Sequence, residues 1–427
     1  MDDGAGEGAR DAPHLLNRAE DLAAELVHAR SLDARDDVVG AGDILGGDHT
    51  GDRGDGRPDA DRGTHLGLDE HIGLDAHVAS RVGCLPRQTS DLSRGKESRV
   101  GARRGGSAMG TTVADLGEIA VVQRILEAVG PLPGLPVGPG DDAAVLACSD
   151  GRVVVTTDML VEGRHFRRDW SDAADIGHKA AAENLADVAA MGAKPTALVV
   201  ALGLPPETEI AWVDGFLAGL LDEAGRAGAV LAGGDLVRAE SITVGVTAFG
   251  DLGGRAPILR SGACAGDVIA VCGALGSAAG GLAVLSRGFR SPRALVDAHR
   301  RPHPDYPAGV RASDAGAHAL MDISDGLVLD ADRMARASGV CIDLDSAAIP
   351  RDDAVVTTAS AYNLDPLTWI LGGGDDHALL AAFPAGARLP EGFVAVGTAM
   401  DAVGSGARVR VDGREVDQVV GFEHFRA

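Results

Sequence analysis

Two α/β domains joined near residue 255 are the fold class this sequence predicts, and three observations predict it. From Met109 onward, β-branched stretches alternate with alanine-rich or amphipathic ones. A Gly/Arg/Pro stretch at residues 253–257 divides that run into two sets. All thirteen aromatic residues lie beyond Met109, so an ordinary core starts there. The predicted division is an extension at 1–108, an amino-terminal α/β domain at 109–255 and a carboxyl-terminal α/β domain at 256–427.

The extension is rich in Asp, Gly, Arg and His, and six of the thirteen histidines sit in it. Only residues 15–29 place apolar side chains at helical spacing; the rest is expected to be disordered. Its Asp/Gly repeats match no EF-hand spacing, its histidines lack regular ligand spacing, and Arg53-Gly54-Asp55 is a chance tripeptide in such a composition. The segment is expected not to be a functional domain, with translation starting at Met109. Peptides from residues 1–108 in a mass spectrum of the native protein would contradict that.

Beyond it, residues 116–130 carry a helical apolar face that stops at a Gly-Pro pair. Residues 152–160 read as a β-branched strand, 175–192 as a long alanine-rich helix, 197–205 as a strand, 212–228 as a helix and 241–252 as a strand. The second set has a strand at 267–273, a helix after Gly276, a further helix leading to a strand at 319–324, and strands at 340–345, 377–383 and 393–399.

With 39 basic against 63 acidic residues, the net charge of -24 argues against nucleic acid or an anionic membrane as a partner, since both attract basic surfaces. No apolar run reaches a membrane span and the amino terminus lacks the order of a signal peptide, so a cytoplasmic protein is expected. Cys84, Cys148, Cys264, Cys272 and Cys341 are scattered and never paired as C-x-x-C, which predicts packing residues rather than a zinc site or disulfides.

Acids recur in one context, beside glycines or at the ends of apolar runs: Asp141 and Asp142, Asp158, Asp187, Asp235, Asp322 and Asp325, Asp375 and Asp376. Grouped carboxylates repel and raise one another's pKa unless cations hold them. With the hydroxyls of Thr156, Thr157 and Ser324 they form a hard oxygen donor set, for which magnesium is the first choice. Magnesium commonly shares its shell with phosphate, which points to a nucleotide. Neither a lysine P-loop nor a G-x-G-x-x-G after a strand is present, so metal bridged to aspartate is the physical alternative for a triphosphate. Gly140, Gly234 and Gly374 are expected to let backbone N–H groups approach phosphate.

In order, "GEIAVVQRIL", "GPGDDAAVL", "TTDMLVEGRHF", "NLADVAAMGAKP", "GGDLVR", "RSGACAGD", "DISDGL", "GGGDDHALL" and "GFEHF" resemble the thiamine-monophosphate kinase family from about Leu116 to the carboxyl end. The resemblance implies the two-domain architecture of the aminoimidazole ribonucleotide synthetase-like ATP-binding superfamily, with the amino-terminal domain binding ATP and magnesium and forming a homodimer. It implies transfer of the ATP γ-phosphoryl group to thiamine monophosphate, the last step of thiamine diphosphate synthesis. By it, Asp141, Thr156, Thr157, Asp158, Asp187, Asp235, Asp322 and Asp325 hold several magnesium ions. Gly234, Asp235, Arg260 and Ser324 contact ATP, and His165, Asp375 and Phe422 contact the thiamine substrate. No catalytic group beyond the metal ligands is implied.

Many family members read Gly-Gly-Glu-Asp-Tyr-Glu where this chain has "GGDDHA", so Asp375 offers a shorter arm and His377 stands at the tyrosine position. Read without the resemblance, His165 is a helix-end or core histidine, Arg260 a surface ion-pair partner, and Lys179 and Lys194 solvated helix charges. Two rival functions stand beside the kinase. One is another ATP-dependent enzyme of the superfamily; the other is a non-catalytic magnesium-nucleotide sensor.

Overall fold

A computed structural model describes residues 110–139, 143–402, 406, 408–416 and 421. The expected helix at 15–29, Cys84, Gly140, Asp141, Asp142 and Phe422 lie outside them. The described residues belong to one compact unit built on two sheets.

Residues 110–252 supply the first sheet and its helices. After α1 (Val113–Leu116) and α2 (Glu118–Val129) come β1 (Val154–Val161), α3 (Ala173–Ala190), β2 (Lys194–Leu204), α4 (Ile210–Ala227), β3 (Val230–Arg238) and β4 (Thr243–Asp251). The sheet order is β1-β4-β2-β3, antiparallel except for the parallel β2/β3 pair. The remaining chain runs β5 (Val268–Cys272), α5 (Ser277–Ser286), α6 (Arg293–Arg300), α7 (Tyr306–Asp314), β6 (Ala319–Ile323), α8 (Leu327–Ser338), β7 (Val340–Leu344), α9 (Asp353–Ala361), α10 (Pro366–Gly372), β8 (Ala378–Phe383), β9 (Val394–Asp401), β10 (Val409–Val411) and β11 (Arg414–Glu415). Its sheet has the order β11-β10-β7-β9-β5-β8-β6 and is mixed, with β7 and β10 parallel. α1, β3, α6, α8, α9, α10, β10 and β11 are elements that the sequence pattern did not place.

The first sheet buries one face. Along β4, Val244, Val246 and Ala248 point inward and join Leu198 and Leu160 against the helices, the period-2 pattern of a half-covered sheet. On the other face Val155, Met159 and Val237 are exposed. α3 opens with a reciprocal cap, in which the Asp172 carboxylate accepts from the Asp175 N–H (2.8 Å) and Asp175 accepts from the Asp172 N–H (3.0 Å). It is buried nearly all round, in contact with β1, β4 and α4 on one side and β6 and α7 on the other. Alanine and glycine allow that closeness: a Cβ on Gly177 would lie 2.0 Å from the Phe216 carbonyl oxygen of α4. This central helix is what brings residues of the two sheets together.

The second sheet packs Ile269, Val271, Met321, Ile323 and Leu380 against α8 and α10, with Trp369 1% exposed at the centre. Among the described cysteines, Cys272 and Cys341 are buried as expected, whereas Cys148 and Cys264 are exposed; all four are free thiols.

Candidate functional site

Strand alternation sorts the predicted ligands. Thr156 and Asp158 of β1 share the face turned to α3, where the Thr156 hydroxyl donates to Asp187 (2.8 Å). Asn184 of α3 accepts from the Asp158 N–H at 2.9 Å and donates to the Ala180 carbonyl at 3.0 Å, which fixes strand against helix at this point. Asp322, at the end of β6, reaches the same place: its charge and that of Asp158 both act on Asp187. β1, α3 and β6 thus each deliver a carboxylate to one cleft.

Two loops close the cleft. After β6, Ser324 and Asp325 lead into α8, and the fully buried Asp330 accepts from the N–H groups of Asp325 (3.0 Å) and Gly326 (3.1 Å). Arg333 bridges Asp325 (2.6 Å) and Asp330 (2.7 Å). In the loop before β8, the Asp375 N–H donates to the Ser324 carbonyl at 2.9 Å and the His377 N–H to that of Ile323 at 3.2 Å. Asp375 and His377 adopt left-handed φ values of 67° and 53°, while Asp376 between them caps α5 through the N–H groups of Gly276 (2.5 Å) and Ala278 (2.8 Å). A Cβ on Gly374 would stand 2.4 Å from the Ser324 carbonyl oxygen, so this glycine serves loop-to-loop contact.

The predicted set does not all meet within one chain. Thr157 points to the opposite face of the sheet, donating to the Val246 carbonyl at 2.8 Å and accepting from Thr247 at 3.1 Å. Asp235 lies in mid-strand on β3, not in a turn, with the ladder Asp235–Ala201–Gly245–Met159 putting it on that open face. Three strand spacings separate it from β1, about 14 Å. Gly234 is required by strand packing, since its Cβ would fall 2.1 Å from the Val200 carbonyl oxygen. Arg260 is exposed before β5, next to Leu259, whose carbonyl accepts from Leu320 early in β6, the end away from Asp322. His165 is neither core nor helix end: it sits in the turn after β1, its Nδ1 accepting from the Val161 N–H at 3.0 Å.

Three groups enter the site that the acid pattern alone did not reveal. Lys179, read from sequence as a solvated charge, is 3% exposed, with Nζ 3.0 Å from Asp375 and 3.7 Å from Glu183. Glu183 itself is buried one helical turn further on. His377 is buried, with Nδ1 3.4 Å from Asp322 and Nε2 4.0 Å from Glu183. The signal was present as Lys179, Glu183 and Asp187 at i, i+4 and i+8, a charged row on an alanine helix.

Electrostatics follow from this crowding. Burial lifts the Asp187 carboxyl to about 7, with Asp322 and Asp158 adding to it. Burial lifts Glu183 to about 7 as well, against the pull of Lys179 and His377. For His377 burial works toward the neutral ring, but the Asp322 hydrogen bond and the Glu183 charge overcome it and raise the ring to about 9.

A carboxyl raised in this way holds, in the folded state, a proton that the unfolded chain has released, so stability falls as pH climbs through that window. The His377 contribution is complete below its unfolded value and is lost as pH rises through about 9. Both effects have one sign. The chelated protein is therefore expected to lose melting temperature steadily from pH 5 to pH 9, each full proton costing about 1.4 kcal/mol per pH unit. A flat or rising melting temperature over that range would contradict the assignment.

Chemically, the cleft offers hard oxygen donors from Thr156, Asp158, Asp187 and Asp322, with Asp325 close by under Arg333. That donor set suits a hard divalent cation and not a soft one.

Residues 140–252 match the family described as AIR synthase related protein, N-terminal domain. The chain is 47% identical over 315 residues to thiamine-monophosphate kinase of Mycobacterium tuberculosis (strain ATCC 25618 / H37Rv), spanning 74% of this chain and 93% of the relative. The crystal structure of thiamine-monophosphate kinase from Stenotrophomonas maltophilia K279a is similar with a TM-score of 0.62 at 33% identity, covering 70% of this chain and 98% of that one. A structure of AaThiL complexed with AMPPCP and TMP gives a TM-score of 0.61 at 31% identity, covering 73% and 98%.

Proposed function

The chain belongs to the thiamine-monophosphate kinase family, and from that premise and the geometry of the acid cleft we propose that it moves the terminal phosphoryl group of ATP directly onto thiamine monophosphate, with magnesium assisting an in-line displacement that yields thiamine diphosphate and ADP. The observation that carries the reading is the convergence of Asp158, Asp187 and Asp322 from three separate elements into one half-buried place, where their mutual repulsion calls for cations.

The acceptor needs no general base. A phosphate monoester has its second pKa near 6 and is largely dianionic at neutral pH, so its oxygen attacks without losing a proton. That oxygen forms a bond to the γ-phosphorus while the bond to the bridging oxygen breaks, and ADP leaves with the electron pair. The remaining tasks are alignment and relief of repulsion between two polyanions. Bound magnesium supplies charge neutralisation on the phosphate oxygens. Thr156, Asp158, Asp187 and Asp322 are the residues proposed to hold it, with Asp325 and, outside the described residues, Asp141. Ser324 and Asp375 frame the cleft from the two loops, as proposed contacts of ATP and of the thiamine substrate.

The reading includes a cytoplasmic homodimer of two-domain subunits. Its support is the open face of the first sheet, where Val155, Met159 and Val237 are more than half exposed, at 58%, 57% and 52%. A second copy seated on that face would cover these side chains and bring its own residues against Thr157 and Asp235. Gly234, Arg260, His165 and Phe422 complete the proposed ligand contacts.

Incubation with thiamine monophosphate and ATP, with and without magnesium, followed by chromatography, tests the proposal. Equal amounts of thiamine diphosphate and ADP, formed only with magnesium, are expected. ATP binding without either product would turn the reading toward a nucleotide sensor.

A further inference from the structure

We infer that Lys179 is the anchor for the acceptor's phosphate, its ammonium taking an oxygen of the phosphate monoester while Asp375 and Glu183 hold it in place. The inference rests on the kinase reading and adds a residue to it.

An ammonium removed from water costs several kcal/mol unless it is paired, so a lysine 3% exposed on an alanine helix is there for a partner. Its partners differ in kind. Glu183 is buried on the same helix, 3.7 Å away. Asp375, 3.0 Å away, has a side chain 38% exposed, so it stands at the rim of the cleft. The ammonium is therefore gripped from below by its own helix and from the side by a loop that faces solvent.

That loop is seated with care. Asp375 has a φ of 67°, a region that few side chains other than Asn, Asp and His adopt, and its N–H donates to the Ser324 carbonyl at 2.9 Å. Gly374 admits the contact because any Cβ there would strike the same carbonyl. Backbone conformation, glycine and hydrogen bond together hold Asp375 where it meets Lys179. A lysine needed only to neutralise Glu183 would not require this second arrangement.

Position along α3 supplies the direction. Lys179, Glu183 and Asp187 follow at single helical turns, so the cation stands two turns from Asp187, at the opposite end of the row. The two ends would then divide the labour: Asp187 would help hold the cations that neutralise the donor, and the ammonium would face the acceptor. Lysine suits such a contact as a compact charge with donors that rotate to follow a tetrahedral phosphate.

The test is Lys179→Met, neutral and of similar length, assayed for turnover and melting temperature. The KM for thiamine monophosphate is expected to rise at least about tenfold while that for ATP stays within about twofold, the size of one lost charge-assisted hydrogen bond. Thiamine monophosphate should no longer raise the melting temperature, although ATP with magnesium still does. Equal rises in both KM values, or an unchanged acceptor KM, would overturn the inference and leave Lys179 a structural ion pair. Should Lys179→Met not fold, Lys179→Gln, which retains a donor for Asp375, is held to the same criteria. If wild-type protein makes no thiamine diphosphate, the kinase reading fails first. In that case a melting shift with inorganic phosphate in wild type, absent from the variant, would uphold the anchor, and the same shift in both would remove it.

Discussion

Asp187→Asn is expected to lower turnover by about 10³-fold and, in chelator at pH 8, to raise the melting temperature. The two effects oppose one another for a single physical reason. Burial, Asp322 and Asp158 lift the Asp187 carboxyl to about 7, so above that pH the folded protein carries a charge it would rather lose. Asparagine removes the charge at nearly constant volume and still accepts the Thr156 hydroxyl through its own oxygen, which keeps β1 tied to α3. What disappears is a negatively charged donor in a site proposed to hold cations against phosphate. A purely structural carboxylate would behave differently, losing stability along with activity. Steady-state rates and a thermal melt of the chelated variant check both halves; a variant with near-normal turnover, or with a lower melting temperature at pH 8, would contradict the role assigned to Asp187.

Much of the fold was legible because its elements carry strong local signals. The strand at 152–160, the run "SITVGVTAFGDL" and the helix at 175–192 were each recognisable from β-branched content, alternation or alanine richness. β3 was not, because its centre is Ala-Gly-Gly-Asp, a composition that locally reads as a turn. Tertiary contact overrides that propensity: the strand runs so close to β2 that only glycine fits opposite the Val200 carbonyl. The cost of that misreading was the face of Asp235, since period 2 assigns faces only once a strand is known.

The candidate site was legible in its acids and illegible in its cations. Aspartates beside glycines stand out in any sequence, and Asp158, Asp187 and Asp322 do converge. Lys179 was hidden because α3 is buried on all sides, so it has no polar face against which a functional charge could be told from a solvated one. His377 stood at a position recognised as unusual, yet its link to Asp322 and Glu183 depends on a loop returning from residue 377 to the end of β6, a contact no local pattern encodes.

Glu223→Ala is expected to destabilise the protein by about 3–5 kcal/mol, the combined cost of leaving the partly exposed Arg226 and the buried Tyr306 and His178 without their carboxylate. Glu223 is 1% exposed on α4 and gathers three side chains. Its Oε1 accepts from the Tyr306 hydroxyl and from Arg226 (2.5 Å), and its Oε2 accepts from Arg226 Nε (2.9 Å) and lies 3.4 Å from His178 Nδ1. Arg226 also donates to the Pro304 carbonyl (3.1 Å) and lies over the Tyr306 ring, while His178 bonds the Pro302 carbonyl at 2.9 Å. One carboxylate thereby joins α3 and α4 to the segment that enters α7. Burial, with Glu223 beside it, pushes the Tyr306 hydroxyl far above its ordinary range, so it remains a donor throughout the working range of pH. Tyr306→Phe deletes one hydrogen bond to a charged group and is expected to cost less, about 1.5–3 kcal/mol. Urea midpoints with an unchanged slope would measure both. A loss below about 1 kcal/mol in Glu223→Ala would mean that water reaches the cluster and that the joint between α4 and α7 is carried by packing alone.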